Sequence, residues 1–415
     1  MHKIEKLLQT LAPKGVEFKT LEEVFEIKNG YTPSKNNPEF WKNGTIPWFR
    51  MEDIRENGRI LKDSIQHITP KALKGKKLFP KNSIIISTTA TIGEHALLIV
   101  DSLANQQFTF LSKKANCDLA LDMKFFFYQC FLLGEWCKNN TNVSGFASVD
   151  MTAFKKYKFP IPPLEIQQEI VKILDAFTEL NTELNTELKA RKKQYQYYQN
   201  MLLDFNDIHS NHKDAKEKLA QKTYPKRLKT LLQTLAPKGV EFRKLGEVCD
   251  FQKGKSITKK AVTLGKVPVI SGGRQPAYYH NEANRSGETI AISSSGVYAG
   301  YVSYWDIPVF LADSFSVSPK QKTLMPKYLF HYLTTQQDAI HATKSTGGIP
   351  HVYSKDLQNF LIPIPPLEIQ QEIVKILDQF SILTTDLQTG IPAEIKARKK
   401  QYEYYREKLL AFKPL

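Results

Sequence analysis

The chain has 415 residues, 41% hydrophobic and 24% charged, with 58 basic against 42 acidic side chains, a net charge of +16 and a pI near 9.4. That length holds two or three domains with cores of their own. The apolar runs SIIIS and FFFYQCFLLGEW are too short or too polar to span a bilayer, and no signal-peptide pattern is present, so no membrane association or export is expected and the predicted location is the cytoplasm. The cysteines Cys117, Cys130, Cys137 and Cys249 form no CxxC pair and no metal-ligand spacing with histidine. They read as core thiols of a reducing compartment.

In chain order, residues 1–18 begin with a short helix around LLQTL, which Pro13 stops and Gly15 turns. Residues 19–160 then alternate short β-branched or aromatic runs (SIIISTT, HALLIV, QQFTFL) with turn residues, and add a helical stretch over 122–138. Residues 161–205 follow a Pro162-Pro163 pair suited to a first helical turn and carry one apolar stripe along about 40 residues. At 1.5 Å per residue that predicts a helix roughly 60 Å long. Residues 206–242 begin as a polar linker (206–227) and end in a second LLQTLAPKGVEF segment. Residues 243–363 repeat the strand-and-turn character (VPVIS, TIAISSS, GYVSYW, VFLADSFSV) with a helical stretch over 325–342, and residues 364–415 form a second long helix.

The order repeats because the sequence does. PIPPLEIQQEIVKILD stands at 160–175 and again at 363–378, LLQTLAPKGVEF at 7–18 and 231–242, and KARKKQY at 189–195 and 396–402. A repeat of this length is a duplicated domain, not a solenoid unit. Between the identical blocks the sequence diverges, although ISTTATIGEH (86–95) lines up with ISSSGVYAGY (292–301). The expectation is an α+β, pseudo-twofold architecture with two mixed-sheet domains and two long, coiled-coil-like antiparallel helices. The seam of that helix pair is assigned to Ile170, Phe177, Leu180, Leu184, Leu188 and Tyr195 in the first copy and to Ile373, Phe380, Leu387, Ile395 and Tyr402 in the second. The copies differ around Thr389-Gly390-Ile391-Pro392, where four extra residues are expected to kink or break the helix. The first copy has a TELN-TELN-TELK run at 178–189 in the same place.

The two divergent segments are each basic: residues 19–160 hold 20 basic and 14 acidic side chains, and residues 243–363 hold 14 and 8. A surplus on each half suits a polyanion, most simply nucleic acid. The glycine-bounded loop 271–287 concentrates Arg274, Gln275, Tyr278, His280, Asn281 and Arg285, side chains that match guanine and adenine edges in a major groove. Lys35, Asn36, Asn37, Arg50, Asn105, Gln106 and Gln107 offer the same chemistry in the first segment. The turn hydroxyls of Thr88, Thr89 and Thr91, and of Ser294 and Ser295, suit phosphates. Each of these also fits a plain polar loop.

Signs of catalysis are weak. Gly254-Lys255-Ser256 lacks the leading glycine of a phosphate loop, since that position is Cys249. The proline pairs sit in Ile-Pro-Pro-Leu instead of Asn-Pro-Pro-aromatic. Asp122-Met123-Lys124 has a metal-nuclease spacing without a convincing partner acid, and the histidines form no triad or zinc pattern. No catalytic residue and no metal site is assigned.

Two basic, divergent α+β segments, each followed by Pro-Pro-Leu-Glu-Ile-Gln-Gln (Pro162–Gln168 and Pro365–Gln371), resemble the specificity subunit of type I restriction–modification systems over essentially the whole chain. The resemblance implies that residues 19–160 and 243–363 are target recognition domains and that the helices separate them and dock partner subunits. It implies double-stranded DNA, two modification (methyltransferase) subunits and restriction subunits with translocase and nuclease activity as partners. S-adenosylmethionine, ATP and magnesium would then belong to those partners, with no cofactor bound by this chain. A bipartite, asymmetric site follows from two different readers. The alternatives are a stand-alone DNA nuclease with a fused recognition module, which would show metal-dependent activity alone, and a basic coiled-coil structural protein, which would bind DNA without sequence preference.

Overall fold

A computed structural model describes residues 2–75, 77–142, 147–208, 215–320, 322–345, 348–385 and 390–414. It contains two compact units, one of residues 1–183 with 396–415 and one of residues 184–395.

In the first unit the helix His2–Leu11 is followed by a strand, Glu17–Thr20, that pairs antiparallel with Lys158–Ile161. Entry and exit of the intervening segment are thereby held side by side. Between them a five-stranded sheet runs in the order Phe25–Asn29, Phe108–Lys113, Ser83–Ser87, His95–Leu98, Ile60–Leu61, with the last pair parallel. A three-stranded sheet, His67–Ile68, Ile46–Phe49, Leu103–Ala104, lies beside it and is also mixed. The strand SIIIS is buried throughout because both its faces are covered. Ile84 and Ile86 pack with Phe125 and Phe126 of the helix Met123–Asn139, whereas Ile85 packs with Phe49, Met51 and Phe110.

The second unit repeats this topology without the parallel edge strand. Phe242–Lys244 pairs with Leu361–Pro363, a four-stranded sheet runs Cys249–Lys253, Ser314–Pro319, Thr289–Ser293, Val302–Trp305, and a three-stranded sheet runs Tyr278–His280, Leu264–Ile270, Phe310–Leu311. The alternation recurs too: Ile290 and Ile292 face the cluster that holds Tyr328 and Leu329, and Ala291 faces Ile270 and Leu311. The ungapped match of 86–95 to 292–301 slips by one residue, however. Ile86 opposes His95 while Ile292 opposes Val302, so the second hairpin loop is one residue longer.

The duplicated block makes the same clasp in both units. Gln167 is fully buried; its Oε1 accepts from the backbone N–H of Asp122 at 2.8 Å, and its Nε2 donates to the carbonyls of Ala120 at 2.9 Å and Pro162 at 2.7 Å. Gln370, also fully buried, accepts from Met325 N–H at 2.9 Å and donates to Thr323 at 2.8 Å and Pro365 at 2.7 Å. About two turns further on, Asp175 accepts from Lys124 Nζ at 2.6 Å and the Tyr128 hydroxyl at 2.7 Å. Asp378 accepts from Lys327 at 2.7 Å and His331 Nε2 at 3.1 Å. Burial works against the Asp378 carboxylate, but the hydrogen bonds from His331 and Lys327 outweigh it and hold its pKa below the ordinary value. The helix that follows the sheet is thus fastened at its start to the long helix that leaves the domain.

The first long helix is continuous over Leu164–Leu203, 40 residues. The second is two helices, Leu367–Thr385 and Ile391–Leu410, and Pro392 sits in the first turn of the latter. Leu387, placed in the seam, lies outside the described residues. Ile170 and Ile373 are fully buried, Ile395 is buried, Tyr195 and Tyr402 are half-buried, and Leu180, Leu184 and Leu188 are half-buried at four-residue steps. Within the first unit Phe177 stacks on Tyr405 with ring centroids 5.4 Å apart. Within the second, Phe380, the repeat counterpart of Phe177, stacks on Tyr198, the counterpart of Tyr405, at 5.0 Å. Each pairing joins the early part of one helical segment to the late part of the other, the order of antiparallel pairing.

Two sequence expectations change. The polar stretch after 205 is more than a linker: Ile208, Leu219 and Tyr224 are buried in the second unit's core, and the Tyr224 hydroxyl donates to Asp204 O at 3.0 Å. The helical stretch 325–342 is two helices, Pro326–Thr335 and Gln337–Ala342. The four cysteines are free thiols, three of them buried, and burial pushes Cys137 and Cys249 up to about 12. Among the described residues no helix is long and apolar enough to cross a membrane.

Candidate nucleic-acid interface

At one end of each larger sheet the hairpin turn, the loop before the neighbouring strand and a glycine turn converge. In the first unit Thr88 N–H donates to Gln107 O at 3.2 Å, and the Gln107 Nε2 donates to Ala90 O at 2.9 Å and Thr91 Oγ1 at 2.7 Å. This side chain braces a turn in which Ala90 (φ 39°) and Thr91 (φ 45°) occupy the left-handed region, costly for a β-branched threonine. The Thr32 hydroxyl donates to Gln106 Oε1, and Asn105 Oδ1 accepts from Gln107 N–H at 3.2 Å. Gly30 is required here, since a Cβ would lie 2.1 Å from Asn105 O. Thr89, Thr91 and Gln106 are exposed, while Thr88 is buried with its hydroxyl against Thr109 Oγ1 at 2.9 Å. Thr88 therefore presents no hydroxyl outward. Beside the turn lies a cleft of about 1020 Å³ whose lining includes Arg55, Thr89, Thr91, Glu94 and Lys138.

Lys35, Asn36 and Asn37 form a separate patch around Trp41, whose indole N–H donates to Ser34 O at 2.9 Å. Lys35 and Asn36 are exposed, and Asn37 caps the short helix Pro38–Phe40 by accepting from Glu39 N–H at 3.0 Å. Arg50 is half-buried with its guanidinium 5.8 Å from the Trp48 ring, and its Nε has no hydrogen-bond partner among the described residues.

The second unit builds the equivalent end from different side chains. Ser294 N–H donates to Asp313 O at 3.0 Å, and the Ser295 hydroxyl donates to the Asp313 carboxylate. Gly254 packs against Ala312 O, where a Cβ would lie at 2.4 Å. Arg274 is exposed, with its guanidinium 4.9 Å from the Tyr298 ring and 5.6 Å from Tyr301. Gln275 and Asn281 are exposed and Tyr278 is half-buried.

Two residues of the 271–287 loop point elsewhere. The Arg285 Nε donates to Ser316 Oγ at 2.9 Å, and its terminal nitrogens donate to the carbonyls of Asn284 at 2.8 Å, Gln252 at 3.1 Å and Lys253 at 3.0 Å. Burial pulls its pKa down. A guanidinium spent on four internal acceptors has no fork left for a base, so Arg285 is a clasp across strands. His280 is buried, with Nδ1 at 3.1 Å from the backbone of Thr263 and its ring edge-on to Phe310.

The nuclease-like spacing dissolves in the same way. Asp122 caps the helix Met123–Asn139, accepting from Lys124 N–H at 2.7 Å, and Lys124 pairs with Asp175. Among the described residues no cluster of histidine, cysteine or acidic side chains could hold a metal.

Sequence reasoning missed the exposed Val297-Tyr298 tip and its neighbours, although an apolar pair between Gly296 and Gly300 is a visible signal. It missed Gln167 and Gln370 as clasps, because two of the three partners of each lie 45–47 residues upstream.

The description "Type I restriction modification DNA specificity domain" fits residues 13–194 and again 237–397. A specificity subunit of the EcoprrI type I restriction enzyme from Escherichia coli is 40% identical over 399 residues, 92% of this chain and 91% of that protein. The EcoR124I/EcoR124II specificity subunit, also from Escherichia coli, is 32% identical over 308 residues, 66% of this chain and 69% of that one. A crystal structure of a type I restriction–modification S subunit from M. genitalium shares the fold, with a TM-score of 0.57 at 19% identity over 95% of both chains. This chain belongs to the type I restriction–modification DNA specificity family, the non-catalytic, DNA-recognising component of those enzymes.

Proposed function

We propose that the chain reads an asymmetric, bipartite DNA site, one half with residues 19–160 and the other with residues 243–363, and brings modification and restriction subunits to it. The observation that carries this is one topology built twice, with the same braced turn at the same sheet end but different side chains on it. Thr89, Thr91, Asn105, Gln106 and Gln107 stand at that end in the first unit, and Arg274, Ser294 and Ser295 in the second. Like scaffolds with unlike tips suit two different half-sites, whereas two identical readers would call for a palindrome.

Two modification subunits would supply S-adenosylmethionine and adenine N6 methylation, and restriction subunits would supply ATP- and magnesium-dependent translocation and cleavage. None of these three cofactors is assigned to this chain. Methylating a base requires flipping it from the stack, and such chemistry belongs on a separate polypeptide here. The four free cysteines suit action in a reducing cytoplasm. The test is to exchange residues 19–160 for the matching segment of a relative and map methylated sites in cells that also hold the modification subunits. One half-site is expected to change; alteration of both halves would defeat the two-reader assignment.

A further inference from the structure

The second unit's tip carries apolar side chains where the first carries hydroxyls. Val297 is 82% exposed, Ile349 66% and Tyr298 41%. Isolated exposed apolar residues are ordinary, but these share one rim. Gly296 N–H donates to Pro350 O at 3.0 Å, and Val352 N–H donates to Ser294 O at 2.9 Å, so the turn that bears Val297 and the segment that bears Ile349 are stitched together. Gly296 at φ 84° and the Arg274 guanidinium over Tyr298 fix the turn's shape.

The rim is edged with positive charge: Arg274, Lys344, whose Nζ donates to Val297 O at 3.4 Å, and Lys355, 5.5 Å from the Tyr353 ring. Apolar tips in a cationic frame match a duplex groove, where phosphates flank the apolar thymine C5-methyl groups. A protein partner of ordinary apolar character would gain nothing from that frame.

We propose that Val297 and Ile349 read thymine methyl groups in the major groove of the second half-site, while Arg274, Lys344 and Lys355 hold the flanking phosphates. This rests on the assignment of residues 243–363 as one of two DNA readers. It adds that the second half-site is read partly by apolar contact.

The test measures binding of the full chain to its mapped site with each thymine of the second half-site replaced in turn by deoxyuridine, which removes only the methyl group. For the unaltered protein, at least one replacement is expected to weaken binding about fourfold, the scale of one buried methyl. Val297→Ser or Ile349→Ser is expected to weaken the thymine site similarly and to be indifferent to deoxyuridine at that position. Both side chains lie on the surface, so unchanged thermal melting will show that the fold survives. Variants that bind all substrates like the parent, or that keep the parent's deoxyuridine loss, overturn the inference. An Arg274→Ala/Lys344→Ala double variant separates the two levels. If it weakens every sequence alike while the apolar changes do nothing, methyl reading alone fails. If it too is without effect on any DNA, the assignment of this face as a reader fails with it.

Discussion

His95 sits at the start of the strand His95–Leu98, fully buried, edge-on to Phe127 and Phe131, with Nε2 lacking a hydrogen-bond partner among the described residues. Burial first, and then the nearby Arg59 and Arg406 guanidinium groups, push its pKa down to about 3 from 6.5. The unfolded chain therefore takes up a proton below about pH 6.5 that the folded chain refuses. Stability falls as the pH drops from there toward the folded value, by up to about 1.4 kcal/mol per pH unit. Replacing it by a non-titrating side chain, His95→Gln, should flatten this acid limb in urea denaturation between pH 7 and pH 5, whatever it does to stability at neutral pH. A variant whose pH dependence matches the parent would show that His95 is protonated in the folded state. Arg285 gives a second test at this scale. Because its nitrogens serve Ser316, Asn284, Gln252 and Lys253, Arg285→Ala should lower stability by about 2–3 kcal/mol through unsatisfied partners. In protein that remains folded it should leave the sequence read unchanged, an outcome that methylation mapping at permissive temperature checks.

Among the elements, the two glutamine clasps set how each mixed domain meets its long helix. A leucine at position 167 or 370 keeps the volume but strands one backbone N–H and two carbonyls. The expected cost is about 3 kcal/mol at either position, and it should be the same at both because the geometry is the same. Hydrogen exchange would localise it to residues 119–125 and 322–328. Unequal effects would mean that the repeat is conserved in sequence but not in energetics. These clasps also mark where sequence reading stops. The repeat and the strand-rich segments were legible because period and identity are local properties of the chain. The glutamines were visible only as letters of a repeated block, since two of the three groups each binds are supplied by a segment distant in sequence. Arg285 and Arg274 lie in one glycine-bounded loop with the same chemistry, and nothing in that loop tells which is turned inward; the deciding carbonyls, Gln252 and Lys253, belong to another strand. The one-residue slip between the hairpins was hidden for a similar reason, because register is fixed by cross-strand partners.

For the whole molecule, the proposed bipartite site needs an element that sets the gap between its halves, and the TELN-TELN-TELK run at 178–189 is the candidate. The helix Leu164–Leu203 passes through it unbroken. Its threonines are accommodated by bonding backwards: the Thr178 hydroxyl donates to Leu174 O and that of Thr182 to Thr178 O, each at 2.9 Å. Leu180, Leu184 and Leu188 are half-buried at four-residue steps, so one four-residue unit exchanges for the next without moving polar groups into the stripe. Deleting one unit shortens the helix by roughly 6 Å and turns the following face by about 40°. With base pairs spaced roughly 3.4 Å apart along B-DNA, a helix that runs along the duplex axis should bring the half-sites closer by between one and two base pairs. Their sequences should persist, because no residue of 19–160 or 243–363 is altered. Methylation mapping of a 182–185 deletion decides it: a shorter gap between unchanged half-sites makes this helix the spacer. An unchanged gap would make the run a tolerated surface repeat and place control of spacing in another part of the assembly.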